Sequence, residues 1–247
     1  MLAVRLHADG LKVEEIATPS PGPGETLVRV QAAAITRDEL DWPTDRLPAI
    51  PSYELAGVTV ERGEEVFALT PFDRDGVAAE YAVVPADVLA ARPTTLSPVE
   101  AAALPMGGLS AWQALFDHGR LERGESVLVT GPAGGVGHLA VQLARSAGAD
   151  VVDSGPADLV FDTAGGDLPA GRRVVTVAAE APGATYFVVE PSRDQLVELA
   201  RLADAGALRP KIDSTFPLER ARDAFDRLAM RGKRGKVVLD VGGGQPV

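Results

Sequence analysis

One stretch limits what this chain can fold into more than any other. Leu128 to Ser146 reads LVTGPAGGVGHLAVQLARS, a short apolar run, a glycine-rich turn and then an amphipathic segment. Val136, Leu139, Ala140, Leu143 and Ala144 recur at helical spacing, so the segment Val136–Ser146 is expected to be a helix following the strand SVLVTG. Glycines between a strand and a helix let the backbone turn sharply and let a diphosphate approach the exposed helix amides. Pro132 breaks the strict GxGxxG form. Two readings therefore stay open: a phosphate cradle, or a tight turn that packs a helix on a sheet.

The next strand arrives early. Only eight residues, Val151–Asp158, separate Asp150 from the apolar run LVFDTAGG at Leu159. A helical crossover between parallel strands needs about a dozen. At least one helix, together with a strand, is expected to be missing. Asp153 lies 22 residues after Gly131, where a ribose-binding carboxylate is expected; a solvated acid on an outer strand is the competing reading. No Lys or Arg cluster stands there to grip a 2′-phosphate.

The remaining segments give a mixed α/β chain. Short strand candidates fill the first 90 residues: Leu2–Leu6, Leu11–Ile16, Thr26–Ala34, Leu55–Val60, Val66–Thr70 and Val77–Val84. Many strands at this spacing suggest a barrel or sandwich. Ser97-Pro98-Val99-Glu100 is a capping box, and Gly108–Phe116 continues as helix. Further strands are expected at Arg172–Ala178, Thr185–Pro191 and Gly235–Val241, with helices at Arg193–Ala205 and Ala221–Met230.

Composition excludes several functions. A formal net charge of -11 argues against nucleic acid, and no apolar run is long enough for a membrane span. The N-terminus shows no signal-peptide pattern, so a cytoplasmic protein is expected. The chain has no cysteine and only three scattered histidines, His7, His118 and His138, which excludes Cys-ligated zinc and argues against any catalytic zinc.

PGPGETLVRVQAAAI, PSYELAGV, GVAAEYAVVPADVLA, LSPVEAAALPMGGLSAWQAL, GESVLVTGPAGGVGHLAVQLA, DLVFDTAGG and RGKVVLDV together resemble the zinc-independent, quinone-oxidoreductase-like branch of the medium-chain dehydrogenase/reductase family. The resemblance covers nearly the whole chain. It implies a GroES-like β-barrel catalytic domain (residues 1–96 and 216–247) and a truncated Rossmann domain (97–215), with the active site between them. It also implies reduction of a quinone, enone or enoyl-type double bond with NADP(H). The cofactor positions it implies are Thr130, Gly131, Gly134, Gly135, Val136, Asp153, Thr163, Ala164, Gly165, Val177, Phe187 and Lys236. The catalytic positions are Tyr53, Thr36 and Asp38.

This chain is about 60 to 80 residues shorter than domains of that kind require. The shortening leaves open a weakly held or lost cofactor, and with it a non-redox cyclase, isomerase or lyase, or a binding protein. Tyr53 is either a hydrogen-bond donor to substrate or a core tyrosine. For Phe187 core packing competes, and for Lys236 a solvated strand-start lysine does. A small-molecule substrate is expected, and a homodimer formed through the apolar strand Thr185–Pro191.

Overall fold

The computed structural model describes residues 1–42 and 46–242. Along the chain run β1 (Leu2–His7), β2 (Gly10–Glu15), β3 (Glu25–Ile35), β4 (Glu54–Thr59), β5 (Glu65–Leu69), β6 (Tyr81–Pro85) and β7 (Ala90–Ala91). Helices α1 (Pro98–Ala102) and α2 (Pro105–Trp112) follow, then β8 (Ser126–Val129), α3 (Gly137–Ser146), β9 (Asp150–Val152), β10 (Ala157–Asp162), β11 (Gly171–Thr176) and β12 (Thr185–Tyr186). The chain continues through α4 (Arg193–Asp204), β13 (Ile212–Pro217), α5 (Ala221–Ala229) and β14 (Lys236–Asp240).

These strands form two main sheets. One is mostly antiparallel, ordered β13-β14-β3-β4-β5-β7 with β6 on β3, and it brings the C-terminal β14 back beside the early β3. The other is parallel, ordered β12-β11-β10-β8-β9. The alanine run of β3 explains how the first sheet serves two layers. Side chains alternate across a strand, so Ala32 and Ala34 face the core shared with α1, α2 and the parallel sheet, while Ala33 and Ile35 face the core inside the barrel. Small side chains at those places let α1, with its own Ala101 and Ala102, lie close against the sheet.

The parallel sheet is covered unevenly. Val127, Val129, Leu159, Phe161 and Val175 pack into the large core with residues of α2, α3 and α4. The alternate residues Leu128 and Val160 join only a small cluster with Ala157, Val152 and Val174.

Several expectations are corrected. The second strand is not lost: β9 survives as three residues paired parallel with β8, Val152 opposite Leu128. What is missing is everything between β9 and β10, which are joined by residues 153–156 alone. Of Val77–Val84, only the part from Tyr81 is strand. Val77 and Ala78 donate instead to the carbonyls of Ser52 and Pro51, and Glu80 to Leu2. Of Thr185–Pro191, only Thr185 and Tyr186 pair with β11, because Phe187 and Val189 turn into the core and the Glu190 amide bonds to the Gln113 side chain. The capping box on Ser97 and the Ser192 cap of α4 form as read, while the helix after α2 widens into a π turn over Gln113–His118.

Candidate active site

The glycine turn sits between β8 and α3, as the sequence suggests. Gly131 has φ 64, a left-handed conformation, and a Cβ there would lie 3.0 Å from Thr163 Oγ1. At Gly137 a Cβ would lie 2.2 Å from the Gly131 carbonyl oxygen, so only glycine lets α3 start this close to the turn. The first amides of a helix have no partner inside it and face the place where an anion fits. Gly134, Gly135 and Val136 line this mouth, each partly open to solvent.

The same turn is docked on the barrel. The Gly235 amide donates to Ala133 O at 3.1 Å, and a Cβ on Gly135 would meet Lys236 Cδ at 2.8 Å. His138, in the first turn of α3, is buried and engaged at both ring nitrogens. Nε2 accepts from the Lys211 amide at 2.9 Å, and Nδ1 lies 2.7 Å from Gly134 O. An acceptor at Nε2 fixes the neutral ring with its proton on Nδ1. Burial, chiefly, holds this histidine's pKa below its ordinary value.

Beside the turn, Asp162 at the end of β10 organises the rim. Its buried carboxylate accepts from the hydroxyls of Thr130 (2.5 Å) and Thr176 (2.9 Å) and from the amides of Ala164 (3.2 Å) and Gly165 (3.1 Å). Burial alone would raise its pKa, but these donors together hold it below the ordinary carboxylate value. Thr163 bonds twice to Thr130, its hydroxyl donating to Thr130 O at 2.6 Å and its amide to Thr130 Oγ1 at 2.9 Å. Val177, half-buried just past β11, donates to Asp162 O.

The barrel side holds a buried charged cluster. Lys236 Nζ is ion-paired with Glu54, both shielded from solvent, and donates to Thr36 Oγ1 at 3.0 Å. The other Glu54 oxygen accepts from the Met106 amide at 2.9 Å, which ties β4 to the start of α2. Nearby, Glu39 accepts from the amides of Thr36 (2.8 Å) and Ser52 (3.1 Å). Burial pushes the Glu39 pKa up to about 8, against the pull of those amides and of Lys236, and it raises that of Glu54 too. Above this cluster the Tyr53 ring stacks on Trp42 at 5.9 Å and meets Phe72 edge-on at 5.1 Å. Tyr53 is half-buried. Burial first, and the Glu39 charge second, raise its pKa, which keeps the phenol protonated.

Most of the residues singled out from sequence converge. Thr130, Gly131, Gly134, Gly135, Val136, Thr163, Ala164 and Gly165 form the turn and its rim, and Lys236 closes the turn from beneath as a buried side chain, not a solvated one. Thr36 belongs to the buried cluster, with Tyr53 in the adjacent aromatic group. Asp153 stands exposed at the end of β9. Two residues do not join. Phe187 turns away into the core, its ring 4.4 Å from that of His118. Asp38 is exposed and paired with Arg37, leaving the buried place to Glu39. Glu39 and Asp162 were not foreseen. For Asp162 the signal was an acid closing an apolar strand before the small residues TAGG; for Glu39 the sequence carries no cue.

A zinc site does not fit these residues. His138 is spent on backbone groups, His7 faces Glu14 and His118 packs on Phe187. Among the described residues no three His, Cys, Asp or Glu side chains gather as a metal would need.

A family model described as a zinc-binding dehydrogenase matches residues 137–239. The NADPH-dependent alkenal/one oxidoreductase of Arabidopsis thaliana is 31% identical over 94% of this chain and 76% of its own length. A probable zinc-binding oxidoreductase of Arthroderma benhamiae is 29% identical over 95% of this chain and 94% of that protein. That alignment runs over 316 positions against a chain of 247 residues, so the relative carries at least 69 residues that have no counterpart here. Among solved structures, the Thermus thermophilus quinone oxidoreductase, also solved with NADPH, superposes with TM-score 0.83 at 30% identity, covering 98% of this chain and all of the other. An alcohol dehydrogenase superfamily protein from Novosphingobium aromaticivorans reaches TM-score 0.88 at 26% identity, over 98% of this chain and 99% of that one. The parallel sheet, its glycine turn and the barrel beneath it thus carry a shared ancestry: the chain is an oxidoreductase belonging to the medium-chain dehydrogenase/reductase family, on the side of its quinone oxidoreductases.

Proposed function

We propose that this protein reduces a quinone, enone or enoyl-type double bond with a nicotinamide cofactor and without zinc. The observation that carries the reading is the docking of Gly135 on Lys236. It sets the glycine turn and the cluster of Thr36, Glu54 and Lys236 side by side.

A bound nicotinamide supplies the hydride. The chain has to orient the substrate, hold its carbonyl oxygen and deliver a proton. Tyr53 is the donor in this reading, a phenol kept protonated by burial and fixed between Trp42 and Phe72. The Thr36 hydroxyl is held by Lys236 and Glu54 and acts as a second polar contact. Asp38, exposed and paired with Arg37, takes no part in this reading.

The division into a barrel domain (1–96, 216–247) and a nucleotide domain (97–215) belongs to the same reading. So do a small-molecule substrate, a cytoplasmic setting and a homodimer. Among the described residues no helix is long and apolar enough to cross a membrane. The alkenal/one oxidoreductase is named for NADPH and the Thermus thermophilus enzyme was solved with it, which favours NADPH as the dinucleotide.

Titration with NADH and NADPH by protein fluorescence, followed by turnover of an enone and quinone panel, tests the reading. Binding plus turnover that drops at least tenfold in Tyr53→Phe supports it. No binding of either dinucleotide at millimolar concentration sinks it. The four-residue link from β9 to β10 would then favour a non-redox isomerase, cyclase or lyase on the same scaffold.

A further inference from the structure

We propose that His138 is a positioning residue for the dinucleotide: as a neutral ring it ties the glycine turn to the barrel, and a proton taken up at Nε2 unties it and weakens dinucleotide binding. The proposal rests on the nicotinamide reading above and deepens it by naming how the grip on the cofactor is regulated.

The ring stands between two backbone groups from different parts of the fold. Nδ1–H donates to Gly134 O at 2.7 Å, inside the turn, and Nε2 accepts from the Lys211 amide at 2.9 Å, just ahead of β13. The Lys211 carbonyl accepts in its turn from the Lys236 amide at 2.8 Å, and Lys236 Nζ donates to Thr36 Oγ1 at 3.0 Å. One line of bonds therefore runs from the mouth of α3 to the cluster of Thr36, Glu54 and Lys236. It has little slack, since a Cβ on Gly235 would lie 2.1 Å from Lys211 O. The ring is buried, so water cannot take over either bond.

Only the neutral ring makes both bonds. A second proton turns both nitrogens into donors. Nε2–H would then meet the Lys211 N–H, donor against donor, in a place closed to water, which costs the full desolvation of an unpaired group. The charge is opposed by burial first, and then by Lys211 and Lys236, the cations that face the ring. Lys236 is paired with Glu54, and Arg209, two residues before Lys211, with Glu100. Of the elements packed on α3, α2 and β8 carry no charged side chain, and β9 carries Asp150 just past the far end of the helix. The protonated ring has to shift, and Gly134, bonded to it at the mouth of α3, shifts with it.

Gln142 supplies the contrast. One turn further along α3 it straps the same segments together, its Nε2 donating to Arg209 O at 3.1 Å and its Oε1 accepting from the Arg209 amide at 2.9 Å. This side chain takes up no proton, and its bonds do not reach the glycine turn.

The test is calorimetric binding of NADP⁺, with NAD⁺ alongside, to the whole protein between about pH 8 and about pH 5.5, where a histidine changes charge. The 2′-phosphate of NADP⁺ titrates near pH 6 in every variant alike, so differences between variants isolate the ring. The parent is expected to lose about tenfold more affinity over this range than His138→Gln, whose amide offers a donor and an acceptor but gains no proton. Gln142→Leu should keep the parent's pH dependence. In the parent itself, linkage requires a bound dinucleotide to lower the His138 pKa further, because it binds the neutral-ring form better. NMR titration reads this, with the ring assigned against His7→Gln and His118→Gln. A His138 pKa unmoved by saturating dinucleotide, or equal pH dependence in the parent and His138→Gln, overturns the proposal and leaves the nicotinamide reading standing. Binding of neither dinucleotide at about pH 8 removes both.

Discussion

The Lys236 ammonium and the Glu54 carboxylate form an ion pair with 7% and 0% of their side chains exposed, directly under the glycine turn. A pair so enclosed is costly to split, because the surviving charge has no water to turn to. Lys236→Met alone is expected to lower unfolding free energy by about 3–5 kcal/mol, and Glu54→Gln combined with it to recover a large part of that loss. Urea denaturation of the two variants checks this. A single variant as stable as the parent would show that the pair carries no such burden.

His138 makes stability depend on pH from the acid side. Its pKa in the folded chain lies below the ordinary 6.5 because burial disfavours the charged ring. The unfolded chain therefore takes up the proton first, and stability present above about pH 6.5 declines as pH falls. Melting temperatures between about pH 5 and 8 should show this slope in the parent and a shallower one in His138→Ala. An unchanged slope would assign the acid sensitivity elsewhere.

Glu39 works in the opposite direction. Its pKa rises from 4.5 to about 8 on folding, so the folded chain holds a proton that the unfolded chain has released. Its contribution is full below pH 4.5 and is lost as pH climbs through 8. Glu39→Gln sacrifices an acceptor for one of two amides, at Thr36 or Ser52, and should lower stability by about 1 kcal/mol at low pH. The variant should also lose the decline toward alkaline pH. Chemical denaturation at several pH values separates the offset from the slope, and a slope retained in the variant would rule out Glu39 as its source.

The glycine turn offers a paired test. Gly137→Ala places a Cβ 2.2 Å from backbone oxygen, while Gly134→Ala meets its nearest neighbour at 3.3 Å. The first substitution is expected to cost about 3 kcal/mol or more and to abolish dinucleotide binding; the second should cost about 1 kcal/mol or less. Equal behaviour of the two would contradict the close approach of α3 to the turn.

The sequence disclosed local structure better than its ends and junctions. The turn at Gly131–Gly137 and the caps at Ser97 and Ser192 were readable because backbone geometry demands particular residue types there. Thr185–Pro191 misled because apolar alternation marks burial without saying which partner supplies it, and here Gln113 and the core took the place of a strand. β9 is absent from the expected strands because three residues carry too little pattern to register. The cluster of Thr36, Glu39, Glu54 and Lys236 joins positions up to 200 residues apart, and no local pattern announces which charged side chains tertiary packing will enclose.

The uneven covering of the parallel sheet has a consequence for how the molecule comes apart. Its helices lie on the face shared with the barrel, and the core there runs without a break from Phe67 and Ala34 to Leu159 and Val175. The parallel-sheet half therefore has little interior of its own to retain once the barrel melts. Heating should produce a single calorimetric peak, and an excised fragment of residues 97–215 should behave as a collapsed, fluctuating chain rather than an autonomous folding unit.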